Sequence, residues 1–194
     1  MAKTDPETAR REQKKAARWA ITIFFVTIGV SAAISFLSDE IMSRSGMAVA
    51  FLILLFIIAV GIVFDIVGVA VTSADEKPFH AMASRKIPGA REAIVLLRNA
   101  GKVSSICNDV VGDICGVVSG AASASIAARV LSMGSFSWPQ AITLAMSALV
   151  AGLTVGGKAV GKTIAINSCT RIVYLVGQGI AFVGRLGGRL KKKK

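Results

Sequence analysis

Polar and apolar positions in this chain are sorted into long blocks, not alternated with a strand period. Four blocks are predominantly apolar: residues 19–37, 47–71, 103–131 and 139–160. Each is about 18 residues or longer, the length at which an apolar run reads as a helix crossing a bilayer. The second is the purest: MAVAFLILLFIIAVGIVFDIVGVAV holds 25 residues and a single charge, Asp65. Trp138-Pro139 marks a helix start, because proline suits the first turn. Trp19 and Trp138 each fall at a block edge, where amphipathic aromatics favour a membrane interface. The expected fold class is therefore all-α: a polytopic membrane protein with four transmembrane helices.

Between the second and third blocks lies a polar stretch, residues 74–102. Residues 81–84 and 89–99 read as helical. Ile87-Pro88-Gly89 separates them and Asn99-Ala100-Gly101 ends the second, which predicts a short juxtamembrane helical hairpin. Residues 167–194 form a glycine-rich amphipathic segment with a lysine tail, expected to lie along the membrane surface rather than to cross it. The organisation is then a basic segment (1–18), a first span (19–37), a three-span core (47–166) carrying the hairpin, and the juxtamembrane segment (167–194).

Charge fixes the expected orientation. The chain has 23 Lys and Arg against 11 Asp and Glu, a formal net charge of +12. The basic residues sit mainly at block ends. Lys3, Arg10, Arg11, Lys14, Lys15 and Arg18 precede the first block, and Lys77, Arg85, Lys86, Arg91, Arg98 and Lys102 fill the 74–102 stretch. Arg171, Arg185, Arg189 and Lys191 to Lys194 follow the fourth. The other two connections are not basic. Both termini and the hairpin are thus expected to be cytoplasmic, as an even number of spans requires. The first 18 residues are too polar for a cleavable signal peptide, so the first span is expected to remain. Basic charge placed this way reads as membrane-orienting, so no nucleic acid is expected. The four terminal lysines are expected to attract anionic lipid headgroups.

Asp65 is the principal candidate for function, because a carboxylate within a span is costly and marks a site with a nearby partner. Counting about 1.5 Å per helical residue from the cytoplasmic boundary puts Asp65 about 12 Å deep, Asp109 about 10 Å, Asp113 about 16 Å and Lys158 about 6 Å. Asn108 and Ser105 add neutral oxygens in this layer. Asp109 and Asp113, four apart, are expected on one side of their helix. Two readings stay open. Asp65, Asn108, Asp109 and Asp113 could form a cation site, with Asp65 and Asp109 the metal ligands, since hard ions prefer oxygen. Alternatively Asp65 pairs with Lys158 or Lys162 and locks the bundle. Gly112, Gly116 and Gly120 form a tandem GxxxG expected to pack against another helix.

Other motifs carry less. Residues 156–163, GGKAVGKT, match the phosphate-binding GxxxxGKT literally but lack the strand and second motif such a loop needs, so no nucleotide is expected. His80 reads as a surface residue of the hairpin. Cys107, Cys115 and Cys169 read as small packing residues, with no CxxC spacing. No nucleophile–base–orienter set exists, and neither an enzyme nor a bound cofactor is expected.

Residues 48–176 resemble the transmembrane domain of the CorC/cyclin-M family of magnesium transporters. The resemblance is carried by Phe64 to Gly68, by ASRKIPGAREAIVLLR (83–98), by KAVGKTIA (158–165) and by the segment 167–176. It implies a three-span domain, juxtamembrane helices, a homodimer and Mg²⁺ as transported ion. The chain departs from the family pattern: a first span is added, and the CBS domains usual in the family are not found. The family's acidic residue falls on Lys158 and its proline on Gly161, while Lys162 matches the family lysine. Asp65 falls where a serine is usual, and Asn108-Asp109 matches the asparagine-rich segment after a shift. The expected function is a CorC-like cation transporter with Lys158 and Lys162 as countercharges. The alternative is a non-transporting scaffold or partner subunit in which Asp and Lys pair structurally.

Overall fold

The computed structural model describes residues 6–134 and 138–191. Every regular element among them is helical. In chain order these are α1 (Pro6–Arg44), α2 (Met47–Ser73), α3 (Lys77–Ser84), α4 (Ala90–Arg98) and α5 (Ala100–Ser105). A π-helical segment (Ile106–Gly112) joins α5 to α6 (Asp113–Ser132), and α7 (Pro139–Asn167) and α8 (Cys169–Lys191) follow. Four stretches are long and apolar enough to cross a membrane: Ala17–Met42, Met47–Ser73, Ala100–Ser132 and Pro139–Asn167. The first of the expected spans is thus part of a 39-residue helix. Residues 135–137 of the third connection and Lys192 to Lys194 of the tail lie outside the described residues.

Length and composition explain the helices better than propensity does. α2 is rich in valine and isoleucine, which are mediocre helix formers in water. In hydrocarbon, a helix satisfies every backbone N–H and C=O internally, and that requirement overrides propensity. α2 is the post of the bundle. It packs on α7, α6, the π segment, α5 and α8, whereas α1 leans mainly on α6. Three apolar clusters run along it. One holds Met42, Ala50, Leu54, Ile58, Ala122, Ile126 and Val150. A middle one gathers Ile57, Val110, Ile114, Cys115 and Val118. The last joins Ala70 and Val71 to Phe79, Ala93, Leu97, Ala165 and Val173, and so fastens the hairpin and α8 to the spans.

Glycines set the closest helix approaches. A Cβ on Gly157 would lie 2.3 Å from Ile62 Cδ1, and one on Gly161 would lie 2.8 Å from Ile66 Cγ1. On α2 itself, a Cβ on Gly61 would lie 2.9 Å from Cys115 Cβ. The tandem glycines of α6, whose partner helix could belong to this chain or to a second one, contribute less to this packing. Gly112 is closely approached, but a Cβ on Gly116 or Gly120 would have no neighbour within 4 Å. The glycines that pack this chain against itself are therefore mostly on α2 and α7. The GxxxxGKT match is helical throughout, inside α7, and forms no phosphate loop.

The far end is held by a residue the sequence reading passed over. Arg129, near the end of α6, donates to the carbonyls of Met42 and Ser45, the latter at 3.0 Å. The guanidinium adds a second donor to the Met42 carbonyl, which already accepts from Ser45 N–H, and its charge suits a helix C-terminus.

The hairpin agrees with its expected form, with α3 beginning earlier, at Lys77, where the Asp75 carboxylate accepts the backbone N–H at 3.2 Å. α3 ends in a Schellman turn: Ile87 N–H donates to Met82 O at 3.1 Å and Lys86 N–H to Ala83 O at 3.0 Å. Lys86 takes the left-handed conformation, φ 57°. A side chain there costs about 1 kcal/mol relative to glycine. His80 is exposed on α3, with Nε2 3.3 Å from Glu76 Oε2. Gly89 (φ 87°) opens α4 and meets α8 directly, since a Cβ on Gly177 would lie 2.5 Å from Gly89 O.

Gly161→Leu is expected to destabilise the fold by about 1–3 kcal/mol by forcing Ile66 aside. The readout is a lower midpoint for thermal unfolding in detergent. Gly156→Leu, at a position open for at least 4 Å, is the control and should leave the midpoint unchanged.

Candidate functional site

The polar layer lies between the middle apolar cluster and the hairpin cluster. Asp65 sits on α2 one turn before Gly68 and Val69, and Lys158 reaches it from α7. Lys158 Nζ lies 3.6 Å from Asp65 Oδ1, and the two side chains are 28% and 17% exposed. Both are covered well enough that the pair acts as a partly buried one. A charge pair near this separation gains about 4 kcal/mol at an effective dielectric of about 20, before desolvation takes back much of it. Gly112 makes room for the ammonium, since a Cβ there would lie 3.4 Å from Nζ. Of the two lysines considered for Asp65, the structure selects Lys158. Lys162 is exposed and forms no ion pair among the described residues.

Asn108 approaches from the other side, on the π segment. Its Nδ2 donates to Ser104 Oγ at 3.2 Å. Its Oδ1 is buried with no hydrogen-bond partner. That oxygen lies against the backbone of Gly68, where a Cβ would sit 2.0 Å away. Glycine at 68 is therefore a requirement of the Asn108 position. A buried amide oxygen without a donor costs about 1–3 kcal/mol, so its persistence calls for a reason such as a ligand or water. The π turns bond each N–H five residues back, widen the helix and commonly mark functional sites.

The remaining candidates stand apart from this group. Asp109 is exposed and accepts a hydrogen bond from Ser105 Oγ at 2.8 Å. Asp113 is exposed and has neither hydrogen bond nor ion pair among the described residues. Both carboxylates are exposed, Asp109 on the π segment and Asp113 at the start of α6. Among the described residues, no three His, Cys, Asp or Glu side chains gather as a metal cage would require. The inward-facing charge is balanced, Asp65 against Lys158. Asn108 Oδ1 lies one helical turn further along α2 than Asp65, against Gly68.

Sequence reasoning found Asp65, Asn108 and Lys158 because they are polar in apolar surroundings. It missed the π segment, which has no composition signal, and the Gly68–Asn108 contact. Gly68 was visible only as a glycine inside an apolar run, a pattern that signals a close approach without naming the partner. Nothing else supplies a precedent: the chain matches no protein-family model, no curated protein and no solved structure.

A double-mutant cycle measures the pair. Asp65→Asn and Lys158→Met are each expected to cost about 1–3 kcal/mol, because each strands one partly buried charge. The double variant should recover most of the loss, with coupling read from unfolding midpoints in detergent. Additive losses would show that the two groups do not stabilise the fold as a pair.

Proposed function

We propose that this chain is an integral membrane protein that moves a cation, with Mg²⁺ the leading substrate, through the layer at Asp65 and Asn108. The membrane part is supported by the surface. Phe24, Phe25, Phe36, Leu52, Phe56 and Leu144 are among many large apolar side chains exposed along the four long helices. A surface this apolar is suited to lipid and not to water. The distribution of basic residues supports cytoplasmic termini and a cytoplasmic hairpin. Transport is supported chiefly by one observation: Asn108 Oδ1 is buried, without a partner among the described residues, on a π segment and against Gly68, one helical turn along α2 from Asp65. In this reading Asp65 and Asn108 offer oxygens to a hydrated ion, and Lys158 holds Asp65 until the ion displaces it. The resemblance to CorC/cyclin-M proteins points to the same substrate.

A second reading is a non-transporting scaffold or partner subunit, in which Asp65 and Lys158 serve only to lock α2 to α7. The balanced charge of the pair and the dispersed carboxylates favour it. Flux separates the two. The wild type reconstituted in proteoliposomes is expected to pass Mg²⁺, followed by an entrapped indicator. Asn108→Ala is expected to reduce flux by at least tenfold while shifting the unfolding midpoint little, since loss of the hydrogen bond to Ser104 offsets removal of the unpartnered oxygen. Normal flux in that variant would remove Asn108 from the path, and no flux from folded wild type would favour the scaffold.

The proposed homodimer would form along α6. Its outward strip of Asp113, Gly120, Ala121 and Ala124 is exposed, and among the described residues a Cβ on Gly116 or Gly120 would meet nothing within 4 Å. Small residues permit the close backbone approach that drives helix association in lipid. Gly120→Leu is expected to shift the protein toward monomer in sedimentation or single-molecule photobleaching, without altering its helical content.

A further inference from the structure

We propose that the cleft between the α3–α4 turn and α8 binds the phosphoryl group of an anionic membrane lipid. The cleft has a volume of about 290 Å³, and its lining includes Lys86, Pro88, Gly89, Arg91, Glu92 and Arg185. Three cations thus meet one carboxylate. Among the described residues none of the three forms an ion pair, with Glu92 or any other acid. Elsewhere on the hairpin the usual pairing does occur: Arg98 Nε lies 3.8 Å from Glu76 Oε2. The cleft is where positive charge is gathered and left uncompensated.

The cations come from separate elements, and the backbone brings them together. Lys86 projects from the left-handed position that ends α3, a place glycine usually takes. Arg91 belongs to the first turn of α4, whose N-terminal backbone adds a partial positive charge. Arg185 arrives on α8, held against the hairpin by the Gly89–Gly177 contact. Arginine forks and an ammonium around a small cavity match a phosphoryl group, which accepts two parallel bonds from each guanidinium.

The surroundings identify the carrier as lipid. Leu175, Ile180, Phe182 and Val183 of α8 and Val95 of α4 are exposed apolar side chains on the same unit. An amphipathic helix with cations beside exposed leucine, isoleucine and phenylalanine lies in the headgroup region. A phosphate presented there would be attached to acyl chains that those residues cover. The site differs from the lysine tail, whose ammonium groups are point cations attracted to any acidic surface. The proposal rests on the membrane placement of the chain and not on ion transport, so absent flux would leave it standing.

The test uses the full chain in uncharged detergent, titrated with short-chain phosphatidylglycerol and followed by native mass spectrometry. Phosphatidylcholine of equal chain length and inorganic phosphate are the comparison probes. Wild type should retain one phosphatidylglycerol in preference to phosphatidylcholine. Arg91→Ala with Arg185→Ala should weaken that binding by about tenfold or more, the loss expected when charge-assisted hydrogen bonds are removed. Lys86→Gly is the sharper variant: it should weaken binding while leaving the unfolding midpoint equal or higher, because glycine relieves the left-handed backbone. Replacing the four terminal lysines by glutamine should leave the single bound lipid in place. Binding unchanged in Lys86→Gly and in the arginine variant would overturn the site, as would its loss on neutralising the tail. Inorganic phosphate binding as well as the lipid would overturn the assignment to lipid.

Discussion

Ile62 and Ile66 of α2 seat on Gly157 and Gly161 of α7, and much of the remaining arrangement follows from that close approach. The two isoleucines bracket Asp65, and the two glycines bracket the turn that carries Lys158. A larger residue at either glycine would push the helices apart by a fraction of a side chain. At 3.6 Å the ion pair has little slack to absorb such a shift. In lipid this kind of packing has to supply the association energy, because apolar side chains gain little by leaving hydrocarbon for each other. Once α2 and α7 are set, α6 fits on both, and α1 is added to its outer side with Arg129 holding the turn between α1 and α2.

Within that frame the polar layer is a local departure from regular helix. A regular α-helix through residues 106–112 would present its side chains at a different angle from the one the π turns impose. The π geometry accompanies an Asn108 that faces α2, with its oxygen on Gly68, while Asp109 is turned outward to Ser105. Two adjacent polar residues that look equivalent in sequence therefore have different environments. One is turned in against Gly68. The other lies on the outer face with Asp113. The contrast bears on the proposed transport path, which would need a group that is underused within the fold. Asn108 Oδ1 meets that condition, whereas the Asp65 carboxylate already has Lys158.

The hairpin and α8 form a second, smaller unit fastened to the ends of α2 and α7 through Phe79, Leu97, Ala165 and Val173. Its organisation again depends on glycine. Gly89 combines a left-handed backbone with direct contact to α8, so a side chain there would be opposed both by φ and by Gln178. Lys86 occupies an equally unusual backbone position without that excuse. In the proposed lipid site this is the position that brings its ammonium to the cleft shared with Arg91 and Arg185.

The apolar blocks by themselves determined four long helices, because a run such as 47–71 has no other way to satisfy its backbone in hydrocarbon. They also determined the hairpin, since Ile87-Pro88-Gly89 cannot continue a helix, and they singled out Asp65, Asn108 and Lys158 as polar groups in the wrong solvent. Tertiary structure decided the rest. Which lysine meets Asp65 depended on the rotation of α7 against α2, a matter of a few glycines whose partners lie about a hundred residues away in sequence. The tandem glycines of α6 read as a seam, yet whether this chain or another fills it is a property of the packed surface. The π turn, the orphaned Asn108 oxygen and the three-cation cleft were illegible for one reason. Each arises where distant segments converge, and a periodicity read along the chain records which face a residue is on, but not what stands opposite it.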